Sequence, residues 1–291
     1  MVTHPIRRGL VSAAVTLALM AVFLLVPDAT RAYASNMMGA LREPGEPAFV
    51  AGHRGDRSSA PENTLPALAA ALDGPLEFVE TDVQRSADGV PVIIHDETVD
   101  RTTDGSGAVA ELTLTQLKQL DAGSWFAAEF AGTRIPTLVE FLDLFAGSAK
   151  KALVELKGYW TAPQIRGILG DILARGVQDR IIFASSDFTT IENLRDVAPA
   201  FSRVIIRRDL PEDPVALAQF YGAIAILTSP SSLERDEDAV DDMHAARLGV
   251  LVYTLNSEKR WTEALAYGVD GIVTDVPSRL DDWIAATAPG T

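Results

Sequence analysis

Phe78-Val79-Glu80-Thr81-Asp82-Val83 decides the fold. The run is apolar and β-branched apart from two carboxylates, and side chains two apart on a strand share one face. In a barrel that face is the interior, where functional groups gather at the C-terminal ends of the strands. Working outward, similar β-rich runs lie at 49–52, 90–94, 152–156, 181–184, 203–206, 223–227, 250–254 and 271–274. Helical patterns at 64–72, 137–145, 162–175, 189–197, 215–221, 237–247 and 258–267 separate them. Alternating β and α elements with nearly continuous apolar strands predict a parallel sheet covered by helices, and one α/β domain of the TIM-type (β/α)8 barrel class over residues 48–291.

Nine runs are one more than the barrel needs. The loop at 84–89 is too short for a helical crossover, so 90–94 is either an irregular barrel strand or one arm of a hairpin. Residues 97–134 lack a strand-helix rhythm, and are expected to form a small insertion over the catalytic mouth.

The chain has 291 residues, 47% hydrophobic and 22% charged, which supports a large core. Arg7 and Arg8, an apolar run over 10–26 and Ala32-Tyr33-Ala34 predict an export signal over residues 1–34, with an uncleaved membrane anchor as the alternative. The arginine pair is compatible with twin-arginine export. A secreted, periplasmic or wall-associated protein follows, with residues 35–47 as a tether containing Pro44, Gly45 and Pro47. The formal charge is −15 for the whole chain, and −17 (22 basic, 39 acidic) without the signal. So acidic a body argues against nucleic-acid partners and against stable membrane insertion after signal cleavage. With no cysteine, disulfides and thiolate metal ligands are excluded.

Two inward carboxylates repel unless neutralised. A hard divalent cation resolves the repulsion at Glu80 and Asp82, and so does a structural ion network with Arg54 or Lys157; Glu155, a third carboxylate at a strand end, favours the cation. His53 and His95 follow strand-like runs and form a candidate acid/base pair. Arg54 and Lys157 suit phosphate oxygens. Glu62, in the loop ending Glu62-Asn63-Thr64, is a secondary metal or substrate contact or a hydrogen-bonding residue. Asp96 has at most a weak orienting role, because adjacent side chains often point apart, and His244 is expected on a solvated helix face.

These residues recur in a recognisable order. His53-Arg54-Gly55, Pro61-Glu62-Asn63-Thr64, Glu80-x-Asp82, Asp88-Gly89, His95-Asp96, Arg101-Thr102-Thr103, Gly105-x-Gly107, Ile135-Pro136-Thr137-Leu138 and Glu155-Leu156-Lys157 resemble the glycerophosphodiester phosphodiesterase family. Thr254-Leu255-Asn256 and the stretch from Gly268 to Pro277 extend the likeness. The resemblance implies hydrolysis of small-molecule glycerophosphodiesters to an alcohol and sn-glycerol 3-phosphate, with one divalent cation, calcium or magnesium. It also implies metal ligation at Glu80, Asp82 and Glu155, and acid-base work at His53 and His95. Tyr253, near Asn256, stands where the family often has Trp, so an altered alcohol preference is expected. Competing expectations are a lipid phosphodiesterase of sphingomyelinase D or phospholipase C type on the same barrel, and a non-catalytic exported protein that binds phosphorylated ligands.

Overall fold

The computed structural model describes residues 37–287; the expected export signal at 1–34 and the start of the tether lie outside them. Eight parallel strands close into a barrel in the order β1 (Phe49–Gly52), β2 (Phe78–Arg85), β4 (Lys151–Leu156), β5 (Ile181–Ser185), β6 (Ser202–Arg207), β7 (Ala225–Thr228), β8 (Gly249–Val252) and β9 (Gly271–Thr274), and the pairing of β1 with β2 completes the ring. The remaining strand, β3 (Pro91–Ile93), runs antiparallel to β2, so the ambiguous run is a hairpin arm outside the ring. Its short connection is the reason: a parallel neighbour needs a crossover that 84–89 cannot supply.

Alternation along each strand divides the apolar residues into two layers. Val79, Val154, Phe183, Ile205, Ile226, Val250 and Ile272 face outward and pack against helices, among them Leu138–Ala146 through Phe141 and Phe145, and Ala162–Ala174 through Ile165 and Ile168. Phe49, Ala51, Phe78, Leu153, Ile182, Ala184, Val204, Ile206, Ala225, Leu227, Leu251 and Val273 face inward and fill the barrel. Helix starts follow local chemistry: Thr137 caps its helix by accepting from Glu140 N, and the Glu140 carboxylate returns the favour to Thr137 N.

Part of the expected tether is docked on the barrel floor. Met37 and Met38 are buried with the inward layer, and the Arg42 backbone N–H donates to Asp270 Oδ1 at 2.9 Å. Gly249 makes the seat for Met38, since a Cβ there would lie 2.3 Å from Met38 Cε. His244, expected on a solvated face, is a correction: its Nε2 lies 3.0 Å from Asp270 Oδ2, with only 18% of the side chain exposed. The helix does carry acids facing water, but His244 lies on the side that meets the floor. The insertion at 97–134 has its own small core, in which Val99, Val109, Leu117 and Ala122 pack on Val92 and Ile94. No helix among the described residues is long and apolar enough to cross a membrane.

Candidate active site

Strand ends deliver most of the predicted residues to one place. His53, Arg54, Glu80, Asp82, His95, Glu155, Lys157 and Tyr253 line a cavity of about 310 Å³ at the C-terminal mouth of the barrel. Glu80 and Asp82 point inward from β2, and Asp82 pairs in register with Glu155 on β4. Carboxylate oxygens of Glu80, Asp82 and Glu155 lie within 4.8 Å of one another.

The ion network is visible, and it does not neutralise the whole triad. Lys157 Nζ lies 3.1 Å from Glu155 Oε1 and 3.5 Å from Asp82 Oδ1, and Arg54 Nε lies 3.5 Å from Asp82 Oδ2. These cations lower Asp82 despite its burial. Burial, Asp82 and Glu155 nevertheless push the Glu80 carboxyl well above the usual range, and burial together with Asp82 pushes Glu155 up to about 7. The hydrogen bond that Glu80 Oε2 accepts from the Arg54 backbone N–H, at 2.7 Å, does not offset this. Three converging oxygen donors with too few cations fit a divalent ion.

Each histidine is held by a carboxylate at the same ring nitrogen. His53 Nδ1 lies 2.6 Å from Asp275 Oδ1, beyond the end of β9, and His95 Nδ1 lies 2.7 Å from Asp96 Oδ1. Both rings thus keep Nε2 available for other partners. The contact between adjacent His95 and Asp96 corrects the expectation that they diverge. A bend made by the chain after β3 brings the side chains together, and Gln84 Nε2 holds it by donating to the carbonyls of His95, at 2.9 Å, and Asp96. Burial lowers the His95 imidazole below its ordinary value, whereas the Arg101 hydrogen bond keeps Asp96 strongly ionised.

For Glu62 the hydrogen-bonding alternative is the one seen. It is not grouped with the acidic triad; its carboxylate is taken up by Arg54 Nη1 at 2.6 Å, Arg57 Nη2 at 2.8 Å, and Arg101 Nη1 and Nη2 at 2.9 and 2.8 Å. Burial alone would raise this acid, but Arg101 and Arg54 hold it at about 2. Arg57 Nη1 continues to Asp275 Oδ1 at 3.4 Å, and Arg101 Nε to Asp96 Oδ2 at 2.6 Å. One arc of ion pairs therefore runs from His53 through Asp275, Arg57, Glu62, Arg101 and Asp96 to His95. Arg54, expected on phosphate, has Nη1 committed to Glu62, while its buried Nε finds no hydrogen-bond partner.

Local backbone geometry makes these approaches possible. Gly55, at φ +87°, lies so close to the following helix that a Cβ would meet the Ala67 backbone at 2.6 Å. Asn63 Nδ2 donates to Asp82 Oδ2 at 2.8 Å, and its Oδ1 accepts from Thr81 Oγ1 at 2.9 Å, which fixes the β2 carboxylate from behind. Asn256 supports rather than lines the cavity: its Nδ2 donates to Asp275 Oδ2 at 2.7 Å. Arg57 and the orienting role of Asp275 were not foreseen. The only available signal was the Asp275 motif position at the end of the last strand, since its partner His53 is 222 residues away.

A profile described as the glycerophosphoryl diester phosphodiesterase family matches residues 53–279. A Bacillus subtilis relative is 33% identical over 236 residues, covering 79% of this chain and 95% of its own. A Caldanaerobacter subterraneus protein named glycerophosphodiester phosphodiesterase is 32% identical, covering 80% of this chain and 96% of its own. The solved structure of an Oleispira antarctica phosphodiesterase in complex with the product sn-glycerol-3-phosphate is 30% identical with a TM-score of 0.72, covering 82% of this chain and 97% of that one.

Proposed function

The chain belongs to the glycerophosphoryl diester phosphodiesterase family, and from that premise we propose that it cleaves glycerophosphodiesters to an alcohol and sn-glycerol 3-phosphate with His53 and His95 as general acid and base. The supporting observation is the pair of carboxylate-held histidines on one cavity with the acidic triad. Glu80, Asp82 and Glu155 would hold one calcium or magnesium ion, which when bound supplies a counter-charge for negative charge developing at the phosphoryl group.

The chain's own residues account for the proton transfers. Asp275 and Asp96 orient the rings from Nδ1, so each Nε2 can accept or give a proton. One histidine removes the proton of the glycerol 2-hydroxyl; that oxygen bonds to phosphorus as the phosphorus–alcohol bond breaks, and the other histidine protonates the departing oxygen. Water then opens the cyclic phosphate with the two roles exchanged. The tethered hydroxyl is preferred to water as first nucleophile because intramolecular attack carries a large effective molarity. Lys157 offers a compact charge to a phosphate oxygen, and Leu153, Ile206, Leu227 and Val273 give the cavity an apolar floor. Export is proposed from residues 1–34 alone, and the N-terminal sequence of the secreted protein checks it.

The test is release of the alcohol, free or as its phosphate ester, from glycerophosphodiesters, intact phospholipid vesicles and an analogue lacking the glycerol 2-hydroxyl. Turnover of the soluble diesters, with little from vesicles and near-total loss with the analogue at saturation, is the expected pattern. Faster turnover of vesicles would favour the lipid phosphodiesterase. Normal turnover of the analogue would make water the direct nucleophile.

A further inference from the structure

Above the apolar layer, the inward register continues to the rim. On β5, Ile182 and Ala184 face inward and Ser186 follows at the cavity; on β8, Leu251 faces inward and Tyr253 follows. On β6, Val204 and Ile206 face inward, Ile206 lines the cavity, and the next residue of that register is Arg208. Counted around the ring from β1, β6 is the fifth of eight strands, so Arg208 stands across the mouth from His53.

Its position is fixed while its charge is free. The Arg208 carbonyl accepts from Ser232 Oγ at 3.1 Å, and from Thr228 Oγ1 and Ser229 N at 3.3 Å each. Neighbouring Asp209 is engaged by Arg235, and Arg207 lies over the Phe188 ring, 5.2 Å from its centroid. Arg208 is exposed and makes no ion pair among the described residues. Burial and Glu155 push the Tyr253 phenol up, and Arg208 pulls against them, so the guanidinium is within electrostatic reach of the cavity wall. Its planar fork suits carboxylate or phosphate.

We propose that Arg208 forms an alcohol-side subsite for glycerophosphodiesters whose alcohol carries a second anionic group, a carboxylate or a phosphate. This rests on the hydrolytic reading above. With phosphorus held on the side of β1, β2 and β4, the rest of the substrate crosses the mouth towards β6. The experiment compares kcat/KM for glycerophosphoglycerol, glycerophosphoserine and glycerophosphoglycerol bearing a terminal phosphate, with wild type, Arg208→Gln and Arg208→Lys. Arg208→Gln should lower the anionic-to-neutral ratio roughly 10- to 100-fold through KM, the scale of a lost charge-assisted hydrogen bond, and Arg208→Lys should restore part of it. A ratio within about twofold of wild type for both anionic substrates would overturn the subsite. Turnover of the neutral diester by wild type reports on the hydrolytic reading separately.

Discussion

On β9, β1, β2 and β4 the residues at the barrel rim are Asp275, His53, Asp82, Glu155 and Lys157, whereas on β5 to β8 the same level holds Ser186, Arg208, Ser229 and Tyr253. The first half is a network in which almost every charge has a partner within 3.5 Å; the second has hydroxyls and one unpaired cation. Dense charge can be kept at a partly buried rim only when its groups are satisfied by one another or by a bound cation, which suits that half to the proposed chemistry. Sparse polar groups leave room for variable parts of a substrate. Reaction and selectivity are thereby assigned to opposite sides of one mouth.

The comparison breaks most severely at the histidines. His53→Ala and His95→Ala should each lower kcat by about 10² to 10⁴, the usual range for a positioned acid or base. Ser186→Ala, at the cavity on the other half, should act mainly on KM. Steady-state kinetics on one diester decides this, and a kcat loss for Ser186→Ala equal to that of His95→Ala would erase the distinction between the halves.

A smaller but broader effect is expected at Glu62. Its carboxylate pairs with Arg54, Arg57 and Arg101 at once, and removing one partner from a buried pair such as that with Arg54 costs about 3 to 5 kcal/mol. Glu62→Gln should lower unfolding stability and also kcat, because Arg57 and Arg101 lose the bridge that joins the two histidine–carboxylate pairs. Denaturant unfolding and kcat measured on the same preparation test both parts. Loss of stability with kcat unchanged would show that the arc supports the fold but not the alignment of the histidines.

The smallest effect belongs to the floor, away from both halves. The Asp270 hydrogen bond raises His244 above its ordinary value. A raised folded-state value stabilises the protein fully below the unfolded value of roughly 6.5, and this contribution disappears as pH rises through the folded value. The difference in melting temperature between wild type and His244→Gln should therefore be larger at acidic pH than at alkaline pH. Equal differences at both ends would remove the protonated pair from the stability of the floor.

Much of this was readable from sequence because the signals are local. Continuous apolar runs ending in His53, Glu80, Asp82 and Glu155 marked the strands, and period two placed Glu80 and Asp82 on one face. Other features depend on where distant segments meet. The choice between ligand and hydrogen-bonding roles for Glu62 stayed open because the arginine fork that reaches it comes from a residue 39 positions away. The His95–Asp96 contact depends on a bend held by Gln84, which adjacency alone does not reveal. Pro44, Gly45 and Pro47 suggested a linker, but the preceding methionines find an apolar seat beside Gly249.

The most direct test of the charge-dense half is metal dependence. The purified protein would be stripped by exhaustive chelation and dialysis, then titrated with calcium or magnesium while glycerol 3-phosphate release is followed. If Glu80, Asp82 and Glu155 hold one catalytic cation, turnover disappears on stripping and returns with one ion bound per chain, and Glu80→Gln requires more metal for half-recovery. Full turnover by the stripped protein would contradict the assignment.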